Sequence, residues 1–107
     1  QGVFKVTMNE SLAVALLTNL LKNAFVHNID GGHIRITVTK NSITFRNSGV
    51  ENPLDKEHIF ERFYQGTKKE GSTGLGLAIA DSICRLQHLS IRYYFEQKEH
   101  CFEISRQ

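Results

Sequence analysis

The chain of 107 residues carries 13 basic and 11 acidic side chains, interspersed, for a net charge of +2, and 2 cysteines. That length suits one domain around one hydrophobic core, and the charge pattern lacks the basic block or aromatic-basic interleaving of nucleic-acid binders. No apolar run is long enough to span a bilayer and no signal peptide is present, so direct membrane contact by this domain is not expected.

Gly2 to Thr7 reads as a short strand, and Asn9 is placed to cap a long helix. Leu12, Leu16, Leu20 and Ala24, with Ala13, Leu17 and Leu21, form its core stripe. Gly31-Gly32 ends that helix. From His33 to Thr39 the chain alternates, with Ile34, Ile36 and Val38 on one side, and Lys40-Asn41 turns it into a second strand, Ser42 to Asn47, where Ile43 and Phe45 continue the buried face. These two strands form an antiparallel hairpin with one wet face. Between Ser48 and Thr73 only Lys56 to Phe63 looks helical, and the rest has the composition of a functional loop. Leu75 to Leu89 is a second helix, and Ser90 to Glu96 and His100 to Ser105 alternate across a Gln97-Lys98 turn. The order predicts a two-layer α/β (α+β) sandwich: a mixed, mostly antiparallel sheet with helices packed on one face. Cys84 and Cys101, without metal-ligand spacing, read as small buried residues of a reducing, cytoplasmic compartment. Gln1 opens abruptly beside a predicted strand, as an excised piece of a longer protein does.

Two features ask for chemistry. Asn19, Asn23 and His27 recur every four residues along one edge of the first helix, beside its core stripe. Asparagine is a mediocre helix former, so the row is either a solvated edge or a set of neutral oxygen ligands of the kind Mg²⁺ accepts beside water and phosphate. The second feature is EGSTGLGLAIA, Glu70 to Ala80, where Gly71, Gly74 and Gly76 precede an apolar helical pattern. Glycines there uncover backbone N–H groups beside the positive end of a helix, which suits phosphates, although a flexible linker or close helix packing would use the same residues. The spacing fits neither the P-loop nor the dinucleotide-binding turn, and protein-kinase signatures of the His-Arg-Asp and Asp-Phe-Gly type are missing.

Taken together, NLLKNA, then a hairpin ending in RNSG, then IFERFYQG, then GSTGLGLAIA resembles the ATP-binding catalytic domain of sensor histidine kinases. These kinases share the Bergerat ATP-binding fold with gyrase, heat-shock-90 and MutL ATPases. The resemblance runs from about Asn9 to Leu89, and the terminal strands match in pattern only. It implies a single catalytic and ATP-binding domain over residues 1–107, with an ATP lid at about 51–75. Asn19 and Asn23 become the catalytic asparagines, Asn23 the Mg²⁺ ligand and Asn19 its neighbour at the phosphates. Phe60 and Phe63 anchor the lid, and Gly71, Thr73, Gly74, Leu75 and Gly76 line the triphosphate. In the ATPases of this fold the position of Asn19 is typically a glutamate that activates water. An amide cannot serve as a general base, which fits transfer of phosphate to a side chain and disfavours hydrolysis.

The chain departs from that pattern in two places. The adenine-recognising motif, commonly Asp-x-Gly-x-Gly, stands here as Asn47-Ser48-Gly49-Val50-Glu51; Gly49 is kept, while Asn47 can accept from the adenine amino group only without a carboxylate's charge. A basic residue and a tyrosine frequent after the asparagine motif are replaced by Val26 and His27, and a ring N–H of His27 is the available substitute phosphate contact. None of the five histidines has the His-Glu/Asp-x-x-x-Pro surroundings of a phosphoacceptor. The resemblance therefore implies a histidine-containing dimerisation domain of the same kinase and a downstream response regulator as partners, in a cytoplasmic domain of a membrane-anchored kinase. The alternatives are a degenerate nucleotide-binding or interaction module of the same fold, or a serine kinase of the anti-sigma-factor type.

Overall fold

The computed structural model describes residues 2–26, 31–49, 58–61 and 75–107. Helix α1 spans Glu10–Val26. Asn9 begins it as the sequence leads one to expect, its Oδ1 accepting the Leu12 N–H at 3.2 Å. Leu16, Leu20 and Ala24 are buried as predicted, whereas Leu17, assigned to the same stripe, is 40% exposed and shares an outer face with Val14. Helix α2 spans Gly76–Leu86 and buries Ala78, Ala80, Ile83 and Cys84. It ends three residues before the predicted Leu89. His88 takes a left-handed φ of 59° and reverses the chain, so that Leu89 already belongs to a strand.

Strands β1 (Ile34–Val38), β2 (Ser42–Ser48), β3 (Leu89–Glu96) and β4 (Glu99–Arg106) form one sheet in the order β1-β2-β4-β3. All three pairings are antiparallel. Both predicted hairpins form, and Gln97 and Lys98 close the second with φ of 51° and 62°, the left-handed pair of a tight two-residue turn. The segment Gly2 to Thr7 is a correction: it is not a strand. Gly2 donates to the Val38 carbonyl at 3.0 Å and Arg106 Nη2 donates to the Lys5 carbonyl at 2.6 Å, too few ladder bonds to extend the sheet.

Pairing puts Phe45, Phe102 and Tyr93 in one row and Ile43, Ile104 and Ile91 in the next, all on the side that receives the helices. The core lies between these rows and Leu16, Leu20, Ala80, Ile83 and Cys84. Ile36, predicted to share it, is 47% exposed because β1 is the edge strand. The opposite face is polar as expected, but not uniformly wet: Thr44, Cys101 and Glu99 are buried there beneath long side chains. Arg35, Arg46 and Arg92 pair across that face with Glu99, Glu96 and Glu103.

Residues 58–61 make a single turn closed by Glu61 N–H donating to the His58 carbonyl at 2.9 Å. The rest of the predicted Lys56 to Phe63 helix lies outside the described residues. Ile59, 1% exposed, ties the turn into the core, and Phe60 meets Phe102 edge to face at 6.2 Å.

Candidate functional site

Asn19 and Gly76, the last glycine of the run, approach each other where α1 passes the start of α2. Asn19 donates its Nδ2–H to the Ala15 carbonyl one turn back, at 2.7 Å, a backbone bond that a short amide in a helix can reach. This leaves Oδ1 directed at α2, where a Cβ built on Gly76 would stand only 3.2 Å from it. Glycine at the first residue of α2 is therefore a matter of close approach between helices. Leu75, at φ −109° and ψ −24°, precedes it with no side-chain cap, so the oxygen that serine or aspartate would offer the first-turn N–H groups is missing. Asn23 is half-buried one turn beyond Asn19. His27, Phe63, Gly71, Thr73 and Gly74 lie outside the described residues.

Asn47 stands near the end of β2 on the helix-facing side, 2% exposed. Its Nδ2–H donates to the Ser48 carbonyl at 3.1 Å, a bond that uses the amide's donor and not its oxygen. Ser48 closes the hairpin from the other side: the His33 backbone N–H donates to its Oγ at 2.8 Å. Gly49 follows, held by its N–H to the Lys98 carbonyl at 3.3 Å. Phe60, packed on Phe102, belongs to the same side of the sheet.

Sequence reasoning missed two residues next to this region. His100 is the direct cross-strand partner of Asn47 and is 5% exposed, its Nδ1 2.7 Å from the Tyr93 hydroxyl. Strand alternation with Phe102 and Ile104 would have placed it on the buried face. On the opposite face Glu99 accepts from Arg35 through both oxygens, at 3.1 and 2.6 Å, and lies 2.6 Å from His33 Nε2. The Arg35 hydrogen bonds hold its carboxyl below the ordinary range although burial opposes them, and His33 adds to the effect. Cys84 and Cys101 are free and buried. Burial pushes the Cys84 thiol up to about 11 and raises that of Cys101, so neither is a poised nucleophile.

The sequence profile of the Histidine kinase-, DNA gyrase B-, and HSP90-like ATPases matches residues 8–105. The chain belongs to this family. Within it, the chain is similar to the sensor histidine kinase RppB of Synechocystis, 43% identical over 84 residues that cover 70% of this chain and 18% of that protein. It is also similar to the heme sensor protein HssS of Staphylococcus aureus, 39% identical over 79% of this chain and 20% of that protein. The chain thus spans about a fifth of the length of these curated relatives. Among solved structures, the catalytic domain of histidine kinase ThkA superposes with a TM-score of 0.76 at 27% identity, covering 92% of this chain and 69% of that one. The mycobacterial sensor histidine kinase MprB shares the fold, with a TM-score of 0.75 at 20% identity over 94% of this chain and 77% of that one. This member of the ATPase family is an ATP-binding catalytic domain of the histidine-kinase type. Among the described residues no helix is long and apolar enough to cross a membrane.

Proposed function

We propose that this domain binds ATP with Mg²⁺ and transfers the γ-phosphoryl group to a histidine on a separate dimerisation domain of the same protein, in a cytoplasmic two-component kinase that passes the phosphate on to a response regulator. The observation that carries the reading is the close approach of Asn19 Oδ1 to Gly76, because it joins the two sequence signals at one corner of the helix layer. Asn47 and Gly49 receive the adenine, the former through its side-chain oxygen. Asn19, Leu75 and Gly76 adjoin the phosphates, together with His27, Gly71, Thr73 and Gly74. Phe60, which meets the Phe102 ring, and Phe63 are the residues we assign to anchoring the lid, about residues 51–75, over the nucleotide.

For the cation, Asn23 supplies one neutral oxygen on the same helix edge. Among the described residues no group of three His, Cys, Asp or Glu stands ready to hold a metal. A donor set of one or two amide oxygens, completed by water and phosphate, is what Mg²⁺ accepts, and the bound ion would neutralise charge on the transferring phosphoryl group. A neutral amide oxygen is too weak a base to deprotonate water, so Asn19, whose Nδ2–H is held by the Ala15 carbonyl, serves to position; this favours transfer over hydrolysis.

Titration calorimetry with a non-hydrolysable ATP analogue, with and without Mg²⁺ and with a GTP analogue for comparison, tests the reading. Magnesium-dependent, adenine-selective binding is expected, and acid-labile phosphoprotein is expected from the full-length kinase. Absence of binding by the folded chain would leave a degenerate module of the same fold, and acid-stable phosphoprotein would indicate a serine kinase.

A further inference from the structure

The imidazole of His100 is clamped on an apolar face. Its ring stacks on Tyr93 at 5.8 Å and 22°, lies 4.8 Å from the Phe95 ring, and keeps Nδ1 within 2.7 Å of the Tyr93 hydroxyl. The edge bearing Cδ2 and Nε2 faces Gly49. A Cβ added to Gly49 would overlap both atoms. Gly49 does not adopt a left-handed φ, so its backbone conformation is open to any residue. The ring of His100 is what requires glycine there. Asn47, two residues earlier, is tied to His100 again, as its direct partner in the β2–β4 ladder.

Resting on the nucleotide reading above, we propose that His100 is a positioning residue for the base: its imidazole, oriented by Tyr93, holds the Asn47-Ser48-Gly49 segment at the depth where the base is received and so sets the preference for adenine. Direct cross-strand neighbours sit about 5 Å apart at Cβ, so a displaced His100 moves the walls of the base site before it moves the phosphates. The consequence is a loss of discrimination between bases that exceeds the loss of fold.

The experiment titrates non-hydrolysable ATP and GTP analogues into the wild-type chain, Gly49→Ala, His100→Ala, the double variant and Tyr93→Phe, with a thermal melt of each. Gly49→Ala should weaken the ATP analogue about tenfold and narrow the ATP-to-GTP ratio, while adding the same methyl in the His100→Ala background should cost less than about threefold, because the space is vacated. Tyr93→Phe keeps the packing but removes the hydroxyl from His100 Nδ1, and should narrow the ratio several-fold with the melt little changed. Additive penalties, or an unchanged ratio in Tyr93→Phe while ATP still binds, overturn the proposal and leave the nucleotide reading standing. Should His100→Ala fail to fold, Tyr93→Phe and Gly49→Ala decide alone. A folded wild-type chain that binds neither analogue overturns the nucleotide reading and this inference with it.

Discussion

Glu99, with 4% of its side chain exposed, receives both ends of the Arg35 guanidinium fork, Nε on Oε2 at 3.1 Å and Nη2 on Oε1 at 2.6 Å. The pair joins the edge strand β1 to the start of β4 across β2, where ladder bonds alone would leave β1 held by a single neighbour. A bidentate pair of this kind is among the stronger charge-assisted contacts.

Glu99→Gln is expected to lower the melting temperature by several degrees at neutral pH, and the deficit should shrink in acid. The carboxyl lies below its ordinary value of 4.5 in the folded chain, chiefly through its hydrogen bonds to Arg35. Stability from it is therefore fully present above that value and is lost as the pH falls through the lower folded value. Melting curves from pH 7 down to about 3 check this, and parallel curves for the two proteins would refute it.

Asn47→Asp should separate stability from affinity. The substitution removes the donor to the Ser48 carbonyl and buries a carboxylate against that oxygen, which costs about 1–3 kcal/mol in denaturant unfolding. If the side-chain oxygen receives the adenine amino group, the added charge tightens the ATP analogue in calorimetry despite the weaker fold.

Asn23→Ala should abolish the Mg²⁺ dependence of nucleotide binding and leave the melt within about 1 kcal/mol of wild type, since a half-buried helix residue is replaced by a better helix former. Equal affinity for the analogue with and without Mg²⁺ is the expected calorimetric result. Retained dependence would remove the metal role from this residue.

His88→Gly should stabilise the chain by about 1 kcal/mol, because His88 is exposed and holds a φ of 59° directly after the α2 cap, where glycine has no Cβ to strain. The backbone bond from the Gln107 N–H to the His88 carbonyl is untouched. Denaturant midpoints measure the change.

Local physics made the helices and hairpins readable. Asn9 with the leucine spacing marked α1, and alternation with Lys40-Asn41 and Gln97-Lys98 marked both hairpins. The misses have non-local causes. Gly2 to Thr7 has strand composition, but only one of its N–H groups finds the edge of β1, and composition cannot say whether an edge is taken. Leu17 sits at a helical spacing that could face inward, yet only a stripe narrower than the one predicted is covered. At the candidate site, Asn19 and Gly76 were legible as motifs, whereas their contact depended on how two helices cross. His100 was weighed only as a phosphoacceptor; its place beside Asn47 is a matter of strand register between segments about half the chain apart.

That register has a consequence for folding. The two hairpins, β1-β2 and β3-β4, close on local turns, and the β2–β4 ladder stitches them together only after distant parts of the chain have met. The wall formed by Asn47, Gly49 and His100 lies across this seam. Neither half of the chain owns it. A ligand gripping that wall would act as a rivet between the halves, so its presence should register as slower unfolding of the whole sheet and not merely as the quieting of one loop.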